Sequence, residues 1–290
     1  MTAMLGHIGI GKETVWGTAV AAGNYIEALS ESFVTDIERY ETRNIVGGFQ
    51  EPDDAAGVTR YAGDLVAAAN RHNLGHLLLG ALGVNSITQI VTGSYFQNII
   101  TPITTLLGSL NPLPSYTFEI FRPGRTTINS SFQFAGMQVN QIQLAVAPNQ
   151  DLRVTAGLIG KSRLFIAKTT ATFPGSPVQP FAFDTCSIAI AGAAVSRIEA
   201  LTFTFANGLE GIPALNNSVE IARIRRTGPQ MPSLSGTLEF QDILDFQNFV
   251  NQTEQRIVVS FTRANSFALT IDLPRTVFTG YPVAMAGRGR

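Results

Sequence analysis

The sequence predicts a mainly β protein built as two like units in tandem, each with one flanking α-helix. Three observations predict it. Most apolar residues fall in short runs that are β-branched, aromatic or alternating with polar residues, as half-buried strands require. Only two segments space apolar residues as a helix does, and each opens on residues of capping type. Those two segments lie 172 residues apart, within a longer register of matching motifs.

The register starts at Ile26-Glu27-Ala28-Leu29 with Phe33, answered 172 residues on by Ile198-Glu199-Ala200-Leu201 with Phe205. Gly63-Asp64-Leu65 is answered by Gly236-Thr237-Leu238, 173 residues on. Asn70 to Asn73 and Asp242 to Asp245 then open the helices. Behind them Leu74, Leu77, Leu78 and Leu82 form one stripe, and Phe246, Phe249 and Val250 repeat its first three positions. After each helix the chain returns to strands: 116–122 resembles 257–263, and Phe134-Ala135-Gly136 with Val139 resembles Phe278-Thr279-Gly280 with Val283. Each unit therefore reads as an antiparallel sheet with one helix packed on it.

The first domain is expected over residues 1–173, with an insertion at about 84–113 and a hairpin, 141–147 and 152–158, turned at Pro148-Asn149. Pro and Gly cluster at 174–180, which reads as the linker, and 181–290 form the second domain. The second domain lacks a counterpart of that hairpin, so a sheet edge is left for a neighbouring subunit to fill. Two long loops are expected at matched places, 38–57 with Glu51, Asp53 and Asp54, and 207–230 with Arg223, Arg225 and Arg226. Their opposite charges make those six residues the candidate contacts between stacked copies of the chain.

Composition narrows the function. Across 290 residues the chain is 45% hydrophobic and only 14% charged, against roughly 25% charged in an average soluble domain. Monomers stay dispersed by displaying charge, so much of this surface is expected to be covered by neighbours. A formal net charge of −1 excludes the basic footprint of a tight nucleic-acid binder. One cysteine, Cys186, allows neither an internal disulfide nor a thiolate metal cage. Residues 1–7 lack a cationic start and an apolar run, and no apolar stretch nears the roughly 20 residues that span a bilayer. The expectation is a chain made and assembled in the cytoplasm, with no membrane insertion.

Catalytic chemistry is set aside residue by residue. Gly6-His7-Ile8-Gly9-Ile10-Gly11-Lys12 fits a phosphate-cradling loop until Glu13 takes the place of the Ser or Thr that holds magnesium, where a carboxylate would repel phosphate. It reads as a glycine-rich bend ahead of a strand. His72 and His76 lie four apart on the first predicted helix, the spacing of a metal pair, with no intervening Glu and no third ligand. Cys186 sits in the strand-like run 183–190, as a packed thiol does. Adjacent Asp53 and Asp54 in a Pro/Gly/Ala loop do not converge on a point. The expectation is no enzyme, no catalytic residue, no cofactor and no metal.

Several motifs, taken in order, resemble the phage tail tube protein family. They are Gly11-Lys12-Glu13-Thr14-Val15-Trp16-Gly17-Thr18-Ala19-Val20 with Tyr25-Ile26 and Ser30-Glu31-Ser32, then 113–119, 134–140 and 154–160, and finally Leu269 to Pro274 with Phe278-Thr279-Gly280. The resemblance implies tail-tube β-sandwich or barrel domains, in stacked rings that form the virion's tail tube and conduct DNA from capsid to host. It further implies partners: other copies of the chain, the tape measure, tail terminator and tail-tip proteins, and genomic DNA passing through without specific binding. Relatives run past the counterpart of Gly287 into a final strand, whereas this sequence stops at Arg290.

With four inward strands per domain, as the family suggests, strands about 4.8 Å apart and tilted about 40° give six domains a bore of roughly 27 to 38 Å between side chains. Three domains leave roughly 8 to 14 Å, too narrow for duplex DNA about 20 Å across. Two tube domains per chain therefore favour a trimer with pseudo-sixfold symmetry, and a hexamer is the alternative. Only Lys12, Lys161 and Lys168 are lysines, which suits a bore that does not grip phosphate. The rival reading is a carbohydrate- or receptor-binding β-sandwich module of a virion, for which Trp16 and six tyrosines make a thin aromatic platform. A metal-dependent hydrolase using His72 and His76 is the remaining one.

Overall fold

The structure, a computed structural model, describes residues 6–42, 53–91, 95–104, 113–123, 130–173, 178–239, 243–263 and 267–282. Of these 61% lie in strands and 8% in helices, so the protein is mainly β. The first part of the chain runs β1 (His7–Lys12), β2 (Asn24–Ile26), β3 (Ala28–Glu31), β4 (Val34–Thr42), β5 (Asp53–Ala68), α1 (Leu74–Leu82), β6 (Gly83–Val91), β7 (Tyr95–Pro102), β8 (Tyr116–Phe121), β9 (Ser130–Val146), β10 (Arg153–Gly160) and β11 (Ser162–Ala167). It continues through β12 (Cys186–Ile190), β13 (Ala193–Val195), β14 (Ile198–Ala206), β15 (Leu209–Ile212), β16 (Arg223–Arg226), β17 (Met231–Leu238), α2 (Leu244–Val250), β18 (Gln255–Arg263) and β19 (Phe267–Thr276).

Two compact units result. The first holds Met1–Leu144, Arg153–Gln179 and Phe203–Ser233, and the second Ala145–Leu152, Pro180–Thr202 and Leu234–Arg290. The first unit is an antiparallel sheet ordered β2-β1-β8-β9-β10-β5-β3, with β11 also on β9 and β4 also on β5. β1 and β8 are buried on both faces, in the register Ile8↔Ile120 and Ile10↔Phe118. β10 alternates exposed and buried residues and pairs Val154 with Ala67 and Ala156 with Leu65. Phe33 lies 5.4 Å from both Phe118 and Phe134 at the centre of the core.

α1 lies where its leucine stripe predicts, burying Leu74, Leu77, Gly80 and Ala81. Asn70 and Asn73 brace its start reciprocally: the Asn73 N–H donates to Asn70 Oδ1 at 3.1 Å and the Asn70 N–H to Asn73 Oδ1 at 3.0 Å. Gly83 ends the helix at φ 95°, a left-handed conformation that glycine adopts without strain. Gly80 lets the helix come close, since a Cβ there would lie 2.8 Å from Val139 and 3.0 Å from Tyr116.

The second unit centres on a four-stranded antiparallel sheet, β13-β12-β18-β19, with Ile188 opposite Val259 and Ile257 opposite Leu273. Its helix α2 behaves unlike α1. Ile243, Leu244, Phe246 and Val250 are exposed, while Asp245 is buried and ion-paired with Arg197.

Several expectations need correction. The segment 38–57 is not a loop at its ends, because β4 and β5 pair from Val34↔Ala62 out to Thr42↔Asp53. Nor is 207–230, which holds the hairpin of β15 and β16. Residues 7–12 are the paired strand β1 rather than a bend. The run 183–190 starts as a 3-10 turn, Phe183–Thr185, and becomes strand only at Cys186. Phe134-Ala135-Gly136 lies within β9, whereas Phe278-Thr279-Gly280 follows the end of β19. α2 starts behind Ile243, and Asp242, like Val283 and residues 174–177 of the expected linker, lies outside the described residues.

Candidate functional site

The candidate contacts lie on two hairpins of the first unit. In the β4–β5 hairpin, Asp54 stands opposite Glu41 in the register and is ion-paired with Arg39, both side chains exposed. Exposed ion pairs of this kind contribute little to stability, about 0 to 1 kcal/mol. Asp53 stands opposite Thr42 at the start of β5, and Glu51 lies outside the described residues. β4 exposes Val34, Ile37 and Tyr40.

In the β15–β16 hairpin, Arg225 faces Glu210 and Arg223 faces Ile212, both arginines exposed. Arg226 differs: it is half-buried, donates to Asn207 Oδ1 at 3.2 Å, and burial pushes its pKa down. The structure also joins the two hairpin regions, which sequence matching had placed in separate domains. The Thr59 N–H donates to the Val219 carbonyl at 2.7 Å, and Arg60 reaches both Glu38 Oε1 at 2.7 Å and the Gly211 carbonyl at 3.2 Å.

The residues considered for catalysis are dispersed. His72 precedes α1 rather than lying on it, so His72 and His76 do not share a helical face. His72 accepts from Arg71 Nε at 3.1 Å, and burial alone pushes the His76 pKa down. Burial likewise pushes the half-buried Cys186 thiol up, away from the thiolate a nucleophile needs. Among the described residues no three His, Cys, Asp or Glu side chains come together as metal ligands, and no helix is long and apolar enough to cross a membrane.

A sequence model of the family described as phage tail tube protein matches residues 5–288. The chain belongs to the phage tail tube protein family. No curated protein matches it. The family is one of structural virion proteins that self-assemble, and its span here takes in both compact units.

In this tail tube protein three of the motifs that carried the resemblance, 11–20, 113–119 and 134–140, meet at one buried carboxylate that sequence reasoning read only as a mismatch to a phosphate loop. Glu13, just beyond β1, accepts four hydrogen bonds: from Ser115 Oγ at 2.7 Å, Thr117 Oγ1 at 2.8 Å, the Gly17 N–H at 2.9 Å and the Gly136 N–H at 2.7 Å. Trp16 Nε1 donates to the Gly136 carbonyl at 3.0 Å, and Lys161 Nζ lies 5.0 Å above the Trp16 ring. Gly136 sits at φ 71°, where a Cβ would come within 2.7 Å of Lys161. Four donors satisfy the carboxylate without a counter-ion, so Glu13 ties the N-terminal turn to β8 and β9. The glycines of β1 have a packing reason too: a Cβ on Gly11 would lie 2.5 Å from the Ala21 carbonyl oxygen.

A second buried acid, Glu119, accepts from the Thr169 N–H at 3.0 Å and the Thr169 hydroxyl at 2.7 Å, with His7 Nε2 3.5 Å away. Burial opposes its charge, but Thr169, Ser131 and His7 outweigh burial and hold its pKa below the usual glutamate value.

Proposed function

We propose that the chain is the ring subunit of a bacteriophage tail tube, stacked into a hollow conduit through which DNA passes from capsid to host cell. The family match across 5–288 carries this reading. It is supported by large apolar side chains exposed on the strands, Ile37 and Tyr40 on β4 and Leu164 and Phe165 on β11. Other copies of the chain are the main partners, and the tape measure, tail terminator and tail-tip proteins meet the ends. Assembly takes place in the host cytoplasm, and the protein is not an enzyme.

The duplication belongs to the same proposal, with tube domains over 1–173 and 181–290 and the linker between them. Recurrence of element order supports it: β5 ends six residues before α1 begins, and β17 ends six residues before α2. Each strand carries a glycine that admits a close neighbour, Gly63 against Phe33 and Gly236 against Ala200. Two tube domains per chain make three chains the ring, and six chains if only one domain lines the bore. Of the candidate inter-ring contacts, Arg223, Arg225 and Asp54 present exposed charge, and Arg226 is half-buried and donates to Asn207. End-on electron micrographs of purified assemblies test the proposal: hollow rings support it, and particles without a central channel at every concentration reject it.

A further inference from the structure

From Arg71 to Glu119 the sequence contains no Asp, Glu, Lys or Arg between the two named ends. A charge-free stretch of this kind ordinarily belongs to a core. Here a large part of it is in solvent. β6 and β7 form a sheet of two strands only, paired from Gly83↔Pro102 to Val91↔Tyr95, and neither pairs with another strand among the described residues. Residues 84–89 and 96–99 are all exposed.

Register assigns the side chains to faces. Val84, Ser86 and Thr88 share one face with Thr101, Ile99 and Gln97; Asn85, Ile87 and Gln89 share the other with Ile100, Asn98 and Phe96. Each face therefore displays an apolar pair, Val84 with Ile99 on one and Ile87 with Phe96 on the other, the last two 63% and 61% exposed. On the second face Asn85 Nδ2 donates to Asn98 Oδ1 at 3.1 Å, a cross-strand tie made without charge. A lone two-stranded hairpin is marginal in water, and free edges are normally guarded by charges or proline. β19 shows that guard, with Asp272 ion-paired to Arg256, Arg275 to Glu254, and Pro274 between them. The ribbon has only Pro102, at its base.

We propose that the β6–β7 ribbon is a docking arm received by a second copy of this chain within the assembled tube; the proposal rests on the tube reading above. Chemistry and size select that occupant. An arm without Lys or Arg offers nothing to the phosphates of DNA. Nine residues at about 3.3 Å each and two strands make a face of roughly 30 by 10 Å, or about 300 Å². A stable one-to-one complex needs about 800 Å² per partner, so a single docking is too small to last. Repeated between identical copies in a closed assembly, the same contact becomes effective because each arm is held in place by its neighbours' arms.

The test uses the full chain carrying a benzophenone amino acid in place of Phe96, with subunits labelled in ¹⁴N and ¹⁵N mixed before assembly and irradiated after it. Cross-linked peptides pairing one label with the other are expected. In parallel, Ile87→Glu with Phe96→Glu is expected to raise the concentration for half-assembly at least about tenfold, with the subunit's thermal midpoint unchanged. Cross-links confined to one chain, cross-links to a different virion protein, or unimpaired assembly of the double variant each overturn the arm while leaving the tube reading intact. A native chain that never assembles overturns both.

Discussion

α1 and α2 stand at matching places in the chain and behave oppositely. α1 turns Leu74 and Leu77 inward and is fixed by a close approach at Gly80 and a hydrogen bond, at 3.1 Å, from the Tyr116 hydroxyl to the His76 carbonyl. α2 leaves Ile243, Leu244, Phe246 and Val250 in solvent and buries its acid, Asp245, against Arg197. Their surroundings differ in the same way. Among the largest fully buried side chains, Phe33, Phe118, Phe134 and Met137 belong to the first unit, and only Leu152 and Phe261 to the second. The lesson is that the same place in the chain is packed differently: α1 is sealed into the larger apolar core of the first unit, whereas α2 is held chiefly by a buried ion pair and leaves apolar residues exposed.

That comparison breaks or sharpens by mutation, from the largest effect downward. Glu13→Ala orphans two backbone N–H groups and two hydroxyls in the first unit. At about 1 kcal/mol or more each, denaturant unfolding should show a loss of about 4 kcal/mol. Leu77→Ala, at a side chain only 1% exposed, should cost about 3 kcal/mol. Arg197→Met in the second unit removes the ion-pair partner of the buried Asp245 and should cost about 2 kcal/mol, less than a wholly buried pair because 15% of the Arg197 side chain reaches water and the Tyr281 hydroxyl still bonds Asp245. Ile243→Lys with Val250→Lys, at side chains 60% and 59% exposed, should leave subunit stability within about 0.5 kcal/mol while weakening assembly, read by sedimentation. Equal destabilisation by the α1 and α2 substitutions would erase the distinction.

Acid sensitivity sharpens it further. The folded Glu119 carboxyl titrates below the unfolded one, so folding favours the charged form. Its contribution is complete above the ordinary value of 4.5 and disappears as pH falls through the folded value. Between about pH 5 and pH 3 the native chain should therefore lose more stability than Glu119→Gln, measured by urea midpoints at each pH.

The sequence was most legible where one face of an element is buried. The leucine stripe located α1 because a helix on a sheet must place apolar residues at three- and four-residue spacing. Pro148-Asn149 located the β9 turn, where Asn149 takes φ 59° and the Gln150 N–H returns to the Ala147 carbonyl at 3.2 Å. β4 was missed because a strand exposed along nearly its whole length needs no alternation, and β15 and β16 because four residues each, with only Leu209 and Ile224 fully buried, are too short to show it among Gly and Pro neighbours. Ile26 to Leu29 spans the break between β2 and β3, while its match at Ile198 to Leu201 opens the unbroken β14, so identical letters form different local structure. The family resemblance was legible from ordered motifs, yet what those motifs do was not. Three of the four partners of Glu13 lie 102 to 123 residues away, and no local pattern announces a contact of that range. The charge-free run after Arg71 was readable by counting, but its exposure becomes meaningful only with β6 and β7 in view.

The most direct measurement is the rotational symmetry and central density of the purified assembly seen end-on by electron microscopy. The account predicts rings with an open bore, roughly 27 to 38 Å wide, and six similar lobes related by a true threefold axis. Discrete particles lacking a bore, or a bore narrower than duplex DNA, would contradict it.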